Sequence, residues 1–147
     1  MLFCFYGTLL DGADNPVARA IHALLDPVGP ARVRGALHAV PDALGWFPAL
    51  VDAAAPDGWI TGRLYKARGG FTAGDLARMD AYEDFDPARL DTSLYVRRAV
   101  VTEDGGIAQV YVFNQPLPTG SLPIAHGDFR RWLAETRKPQ FTGLRDA

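Results

Sequence analysis

The chain has 147 residues and a formal net charge of −2, with acidic and basic residues interspersed along it. That length suits one domain with an ordinary hydrophobic core, and without a basic stripe the chain is not expected to bind nucleic acid. Its single cysteine, Cys4, excludes an internal disulfide. Because no signal peptide is evident and no apolar run approaches roughly 20 residues, we expect a cytoplasmic, single-domain protein over residues 1–147 that does not bind membranes.

Apolar runs and turn residues divide the chain into short strands and three helices. In chain order the sequence predicts a strand over 2–6, a helix opening at 15–16, a strand over 32–40, an apolar but proline-broken segment over 45–51, a strand over 59–67, a helix from 72 to about 82–83, a hairpin of strands over 95–103 and 107–114, and a helix over 127–137. Residues 138–147 are expected to form a loosely held tail. This order favours an α+β domain with a small mixed sheet or barrel.

The predicted helix ends carry suitable residues. Asn15 is a favoured N-cap and Pro16 suits the first helical position, where the missing N–H has no partner to lose. Pro27, with the glycine and proline that follow it, is expected to end this helix. Thr72 is the predicted N-cap of the second helix, and Asp75 complements the dipole of its first turn.

A short loop follows the first predicted strand, with the sequence Tyr6-Gly7-Thr8-Leu9. Gly7 lets the backbone turn sharply and approach a ligand closely, and successive N–H groups in such a turn attract anions and carbonyl oxygens. The alternative is an ordinary turn at a strand end, because the loop lacks the lysine and repeated glycines of a nucleotide-binding loop.

Glu83 is the second candidate. At about 100° per residue, Leu76 and Glu83 project in nearly the same direction, and Met79 lies on the same side. A carboxyl on the inward face near a helix C-terminus has its charged form disfavoured by desolvation and by the helix dipole, so it can both take and give a proton near neutral pH. Alternatively, the helix has ended by Glu83, and the side chain is solvated or paired with Arg97 or Arg98.

The remaining polar candidates are weaker. His22, His38 and His126 show no metal-ligand spacing with one another or with Cys4, so neither a metal site nor a cofactor is expected. Asp80 projects about 60° from Glu83 at helical spacing, and we interpret it as a surface acid.

Six segments in order resemble one known family. They are Tyr6-Gly7-Thr8-Leu9 with Gly12 and Asn15, Phe47-Pro48-Ala49-Leu50-Val51, Gly62-Arg63-Leu64-Tyr65, the helix from Leu76 to Glu83, Tyr95-Val96-Arg97, and Gly127-Asp128-Phe129. Together they resemble the γ-glutamylcyclotransferase-like family over nearly the whole chain. The resemblance is nearest to the branch of γ-glutamylamine cyclotransferases and small bacterial relatives, although Arg63 replaces the usual glutamate of the third segment.

The resemblance implies a small mixed β-barrel with flanking helices. It also implies an enzyme that cyclises a γ-glutamyl amine or γ-glutamyl peptide to 5-oxoproline and releases the amine, with Glu83 as general acid/base. The backbone N–H groups of the loop would hold substrate oxygens, Tyr6 would line the pocket, and Tyr95 would donate its hydroxyl to the substrate or to Glu83. For both tyrosines the alternative is buried aromatic packing. The implied substrate-binding residues are Tyr6, Gly7, Thr8, Leu9 and Tyr95.

Two alternatives to this activity stay open at the level of sequence. One is a binding module that keeps the fold and pocket without the chemistry. The other is release of a γ-glutamyl group from a larger acyl intermediate. Glu83 favours an enzyme, because a binding module has no need for an acid at that place. The sequence carries no signal for the leaving group or for the oligomeric state.

Overall fold

The computed structural model describes residues 1–7, 15–51 and 58–141. Within these ranges the elements, in chain order, are β1 (Leu2–Phe5), α1 (Pro16–His22), β2 (Leu25–Arg34), β3 (Ala36–Asp42), β4 (Gly45–Val51), β5 (Trp59–Ala67), α2 (Ala73–Tyr82), β6 (Tyr95–Val101), β7 (Ile107–Phe113), β8 (Leu122–Pro123) and α3 (Phe129–Thr136). None of the helices described is long and apolar enough to cross a membrane.

The strands form two sheets. The larger sheet has the order β2-β5-β1-β7-β6, and the smaller sheet has the order β4-β3-β8. Strand β1 runs antiparallel to β5 and parallel to β7, so the larger sheet is mixed. Its central place buries both faces of β1, which is why this strand has a continuous apolar run instead of alternating residues.

The α+β class with mixed strands and flanking helices is confirmed, but the predicted barrel is two sheets and not one closed ring. The outer edges of the larger sheet approach each other at a single bridge between Val33 and Thr102. Beside it, the Glu103 N–H donates to the Arg32 carbonyl at 2.9 Å. The larger sheet therefore curves towards closure without a continuous ladder.

Strand β2 begins earlier than expected. Pro27 and Gly29-Pro30, which were expected only to end the first helix, lie inside β2 and pair with β5. Proline is tolerated because β2 is the edge strand, and a register shift between Pro27 and Gly29 absorbs the irregularity. The predicted single strand over 32–40 is in fact divided at Gly35, whose φ is +143°.

The start of the predicted tail is packed against β4, so that part of the prediction is wrong. The Trp46 N–H donates to the Pro139 carbonyl at 2.8 Å, and the Phe141 N–H donates to the Trp46 carbonyl at 2.7 Å. Phe141 is buried, and the Lys138 ammonium lies 4.9 Å from the centroid of the Trp46 ring. Residues 142–147 lie outside the described part of the chain.

Two hydrophobic clusters lie on opposite faces of β1. Phe3 and Phe5 pack with residues of α1 and α2. Cys4 and Tyr6 belong to the second cluster, which includes Phe129 of α3. The end of β1 therefore lies at the junction of both clusters, and the side chains discussed next surround this point.

Candidate functional site

Glu83 lies at the end of α2, as predicted. The helix opens with a capping box, in which the Asp75 N–H donates to the Thr72 hydroxyl at 3.1 Å and the Asp75 carboxylate accepts from the Thr72 N–H at 2.9 Å. Glu83 is the C-cap residue, and its N–H donates to the Met79 carbonyl at 3.2 Å. Met79 is fully buried and Glu83 is only 8% exposed, which confirms the predicted inward face.

Asp80, one turn before Glu83, is buried, so its interpretation as a surface acid is wrong. Its carboxylate accepts from Arg97 Nε at 2.9 Å and from the Tyr111 hydroxyl at 2.7 Å. Arg97 also donates to Gln109 Oε1 at 2.8 Å. Arg97, one of the two arginines considered as partners of Glu83, therefore pairs with Asp80 and joins α2 to β6 and β7. A buried carboxylate needs such a charged partner to offset its lost hydration.

Tyr6, the residue after β1, connects three strands through its hydroxyl. It donates to the Tyr111 carbonyl of β7 and accepts from the Leu50 N–H of β4 at 3.2 Å. Burial raises the pKa of Tyr6 well above its usual value, and the nearby Tyr95 and Glu83 raise it further. Glu83 and Tyr95 therefore both lie within electrostatic reach of the Tyr6 ring.

Tyr95 opens β6 and is also buried. Its hydroxyl donates to the Pro48 carbonyl at 2.5 Å, and its ring meets Phe113 edge-on at 5.4 Å. A phenol has one hydrogen to give. In this structure that hydrogen is directed at the main chain of β4, and donation to the substrate or to Glu83 stays a prediction.

Gly7 is packed against the same proline. A Cβ atom added to Gly7 would lie 2.5 Å from Pro48 Cγ, closer than atoms can approach without displacement. The glycine is therefore required for a close approach of the chain to β4. Thr8 and Leu9 lie outside the described residues, and the roles of their N–H groups stay predictions.

The structure thus brings Tyr6, Gly7 and Tyr95 together around β4, and Glu83 lies within electrostatic range of Tyr6. Sequence reasoning missed the contribution of Tyr111, which meets both Tyr6 and Asp80, and it gave no specific task to β4. The block from Phe47 to Val51 was the available signal, since it is one of the six matching segments. Burial and the neighbouring acids raise the pKa of Tyr111, so this phenol stays protonated.

Metal-based and thiol-based chemistry find no support among the described residues. In residues 1–7, 15–51 and 58–141, no three His, Cys, Asp or Glu side chains are grouped so as to hold a metal ion. His126 lies in the turn before α3 and pairs at 2.8 Å with Glu135 of that helix. Cys4 is buried, and burial raises the pKa of its thiol to about 12, so this cysteine is not a reactive nucleophile.

A cleft of about 340 Å³ opens beside Tyr6. Its other walls come from β2, β5 and the start of α3, and they include the side chains of Arg63, Asp128 and Arg130. Of the predicted site residues with described positions, Tyr6 lines this cleft, and Gly7, Glu83 and Tyr95 do not.

Comparisons with known proteins agree with this architecture. An uncharacterised protein from Pyrococcus horikoshii has a TM-score of 0.62 at 17% identity, over 93% of this chain and 96% of that chain. An AIG2-like protein from Mus musculus has a TM-score of 0.59 at 21% identity, over 80% of this chain and 79% of that chain. At these identities the likeness concerns the fold alone.

The same fold also occurs as part of a larger protein. Allophanate hydrolase from Kluyveromyces lactis has a TM-score of 0.69 at 13% identity, over 92% of this chain but only 21% of that chain. A search of curated proteins found no significant match to the chain. The family model described as gamma-glutamyl cyclotransferase, AIG2-like, matches residues 3–131, and with the fold described above this places the chain in that family.

Proposed function

We propose that this protein is an enzyme that cyclises a γ-glutamyl amine or γ-glutamyl peptide to 5-oxoproline, with Glu83 as the general acid/base. The observation that carries the proposal is the burial of Glu83 at the end of α2, within electrostatic reach of Tyr6. Tyr6 is the residue from which the Gly7-Thr8-Leu9 loop continues. Membership of the gamma-glutamyl cyclotransferase, AIG2-like family supports the reaction type.

The reaction needs no nucleophile from the protein. The α-amino nitrogen of the substrate attacks its own γ-carbonyl carbon, a new C–N bond closes the five-membered ring, and the original amide C–N bond breaks. Holding the γ-glutamyl chain in a folded conformation can remove up to roughly 7–11 kcal/mol of the barrier. The reaction therefore does not require a Ser–His or Cys–His pair.

Glu83 is assigned both proton transfers. Its carboxylate accepts a proton from the attacking ammonium-derived nitrogen and then donates it to the leaving nitrogen, which departs as a neutral amine. A positioned acid/base of this kind contributes about 10²–10⁴-fold to the rate. Asp80 is assigned a structural role, because Arg97 and Tyr111 bind its carboxylate and join α2 to the larger sheet.

The loop and the tyrosines are assigned to binding. The N–H groups of Gly7, Thr8 and Leu9 hold the substrate carboxylate or the oxygen of the tetrahedral intermediate, where donors are worth more in a site shielded from water. Tyr6 and Tyr95 give their hydroxyl hydrogens to main-chain carbonyls. Their task is thus to line the pocket and to fix its walls.

The test is production of 5-oxoproline from a panel of γ-glutamyl amines and γ-glutamyl dipeptides. We expect at least one substrate to turn over, and Glu83→Gln to lower kcat by about 10²–10⁴-fold, since the amide cannot move the proton. Asp84→Asn is the matched control, because Asp84 is an exposed acid next to Glu83 with a φ of 53° that asparagine also adopts.

Two results would contradict the proposal. Full activity in Glu83→Gln would show that another group moves the proton. Binding of γ-glutamyl compounds without any 5-oxoproline would instead identify a non-catalytic binding module on the same fold.

A further inference from the structure

The loop over residues 84–94 joins the two elements that carry Glu83 and Tyr95. Glu83 is the C-cap residue of α2, and Tyr95 opens β6. The Leu94 N–H donates to the Asp84 carbonyl at 2.9 Å, so the first and last residues of the loop are bonded to each other. Compact surface loops whose ends meet in this way are packed by their own side chains. Glu83 and Tyr95 therefore flank the closed ends of this loop.

Ser93 is the buried polar residue inside this loop, with an exposure of only 3%. Its hydroxyl donates to the Arg89 carbonyl at 2.9 Å, with the Asp86 carbonyl at 3.2 Å as a second acceptor. The same hydroxyl accepts from the Asp86 N–H at 2.9 Å. Residues 84–94 belong to neither a helix nor a strand, so their main-chain groups need partners of another kind. One hydroxyl supplies several of these partners and holds the loop closed.

Two amide side chains just after β7 hold the main chain of Ser93. Asn114 Nδ2 donates to the Ser93 carbonyl at 3.1 Å, and Gln115 Nε2 donates to the same oxygen at 2.8 Å. Gln115 Nε2 also donates to the Asp91 carbonyl at 3.0 Å, and the Asn114 N–H donates to the Leu94 carbonyl at 2.8 Å. The carbonyl of Ser93 is thus attached to the end of β7, whereas its hydroxyl is attached to the loop.

We propose that Ser93 is a positioning residue, whose hydroxyl fixes the place of Glu83 through the main chain of the 84–94 loop. This inference rests on the proposed function. Glu83 is followed by no further turn of α2, and the next residue, Asp84, has a φ of 53°, a left-handed conformation that turns the chain out of the helix. The direction of the chain after Glu83 is therefore set by the loop, and the loop is closed by Ser93.

The experiment compares Ser93→Ala with Thr102→Val on a γ-glutamyl compound that the wild type converts to 5-oxoproline. Thr102 is the matched control, since it is 5% exposed and its hydroxyl bonds Asp104 and the Gly106 carbonyl in the turn at the other end of β6. Each variant removes one buried hydroxyl from a turn and should lower Tm by about 2–8 °C. Only Ser93→Ala should lower kcat, by about tenfold or more with KM nearly unchanged, because a small displacement of a catalytic group is costly.

A double mutant measures whether the effect passes through Glu83. In the Glu83→Gln background, Ser93→Ala should lower kcat by no more than about twofold, because the acid whose position it controls has been removed. A merely structural role would lower kcat by the same factor in both backgrounds. Gln115→Ala is a milder variant that removes one donor to the Ser93 carbonyl. It should lower kcat about two- to fivefold, and it takes the place of Ser93→Ala in both comparisons if that variant does not fold.

The outcomes separate this inference from the proposed function. Equal kcat in Ser93→Ala and Thr102→Val, a change confined to KM, or the same loss of kcat with and without Glu83 overturns the inference while the cyclotransferase proposal stands. If no γ-glutamyl compound of any kind yields 5-oxoproline, the proposed function fails and the inference fails with it.

Discussion

At the scale of single residues, the end of α2 holds two buried carboxyl groups with different surroundings. Asp80 is engaged by Arg97 and by the Tyr111 hydroxyl, and these contacts connect the helix to the larger sheet. Glu83 follows three residues later and lies within electrostatic reach of Tyr6. These partners give Asp80 a structural role, whereas Glu83 is the acid to which the proposed proton transfers are assigned.

Replacing Arg97 by methionine tests the structural part of this division. The substitution keeps the apolar stem but leaves the Asp80 carboxylate buried without its cation, so we expect a loss of about 2–3 kcal/mol in the free energy of unfolding. Urea denaturation measures this loss. Arg78→Met is the control, because Arg78 pairs with Asp75 on the exposed side of the same helix and should have a much smaller effect. Equal effects of the two variants would contradict the prediction.

At the scale of elements, the site and the adjacent cleft depend on how closely α3 approaches β5. Gly127 has a φ of +74°, which L side chains rarely adopt, and a Cβ atom added there would overlap the Trp59 carbonyl oxygen. The Gly127 carbonyl also accepts from the Thr61 N–H at 2.8 Å. One glycine therefore sets both the turn into α3 and its distance from the sheet.

Gly127→Ala should destabilise the protein by more than about 2 kcal/mol, because it adds backbone strain and a main-chain overlap at once. The same experiment on Gly69→Ala provides the comparison. Nothing lies within 4 Å of a Cβ atom added to Gly69, so this variant should be close to neutral. Chemical denaturation measures the free energy of unfolding of both variants. If Gly127→Ala were as stable as the wild type, the turn would have relaxed to accommodate the Cβ atom, and the prediction would be wrong.

At the scale of the whole molecule, the core holds ionisable side chains from β1, its end and β7 in their neutral forms. Burial raises the pKa of the Cys4 thiol to about 12 and raises the pKa values of Tyr6 and Tyr111. The neutral form of each group is therefore favoured by folding. Such a group adds its full contribution to the free energy of unfolding below its unfolded-state pKa. This contribution is lost as the pH rises towards the folded-state pKa.

For Cys4 this window begins at its ordinary pKa of 9.0 and extends to about 12. We expect the free energy of unfolding to fall above pH 9 by up to about 1.4 kcal/mol per pH unit from this group. Cys4→Ala should flatten the decline between pH 9 and 10, before tyrosines ionise in the unfolded chain. Urea denaturation at several pH values measures this decline. If the free energy of unfolding fell equally with pH in the wild type and in Cys4→Ala, the prediction would be wrong.

Much of the local structure could be predicted from sequence. The caps at Asn15 and Thr72, strand β5 and the inward face of α2 were all predicted correctly. These features depend on side chains a few residues apart, so a short stretch of sequence contains both partners. Glu83 was identified for the same reason, because helical spacing places it on the face of Met79.

Other features could not be predicted because their partners are distant in the chain. Residues 27–30 form a strand because they pair with β5. Phe141 is buried because its segment is hydrogen-bonded to β4. Asp80 can be buried because Arg97 and Tyr111 donate hydrogen bonds to its carboxylate. Helical position alone did not indicate that a cation and a phenol would meet it there.

The sequence by itself therefore determined the family, the α+β class, and two candidate features, the loop from Tyr6 to Leu9 and the acid at Glu83. Only the tertiary structure decided that Glu83 comes within electrostatic range of Tyr6, that Asp80 is a structural acid, and that two arginines line the cleft beside Tyr6. The physical reason is the separation along the chain between the residues that interact. A cap or a helical face joins residues within one or two turns, whereas the Tyr6 hydroxyl reaches a carbonyl 105 residues away.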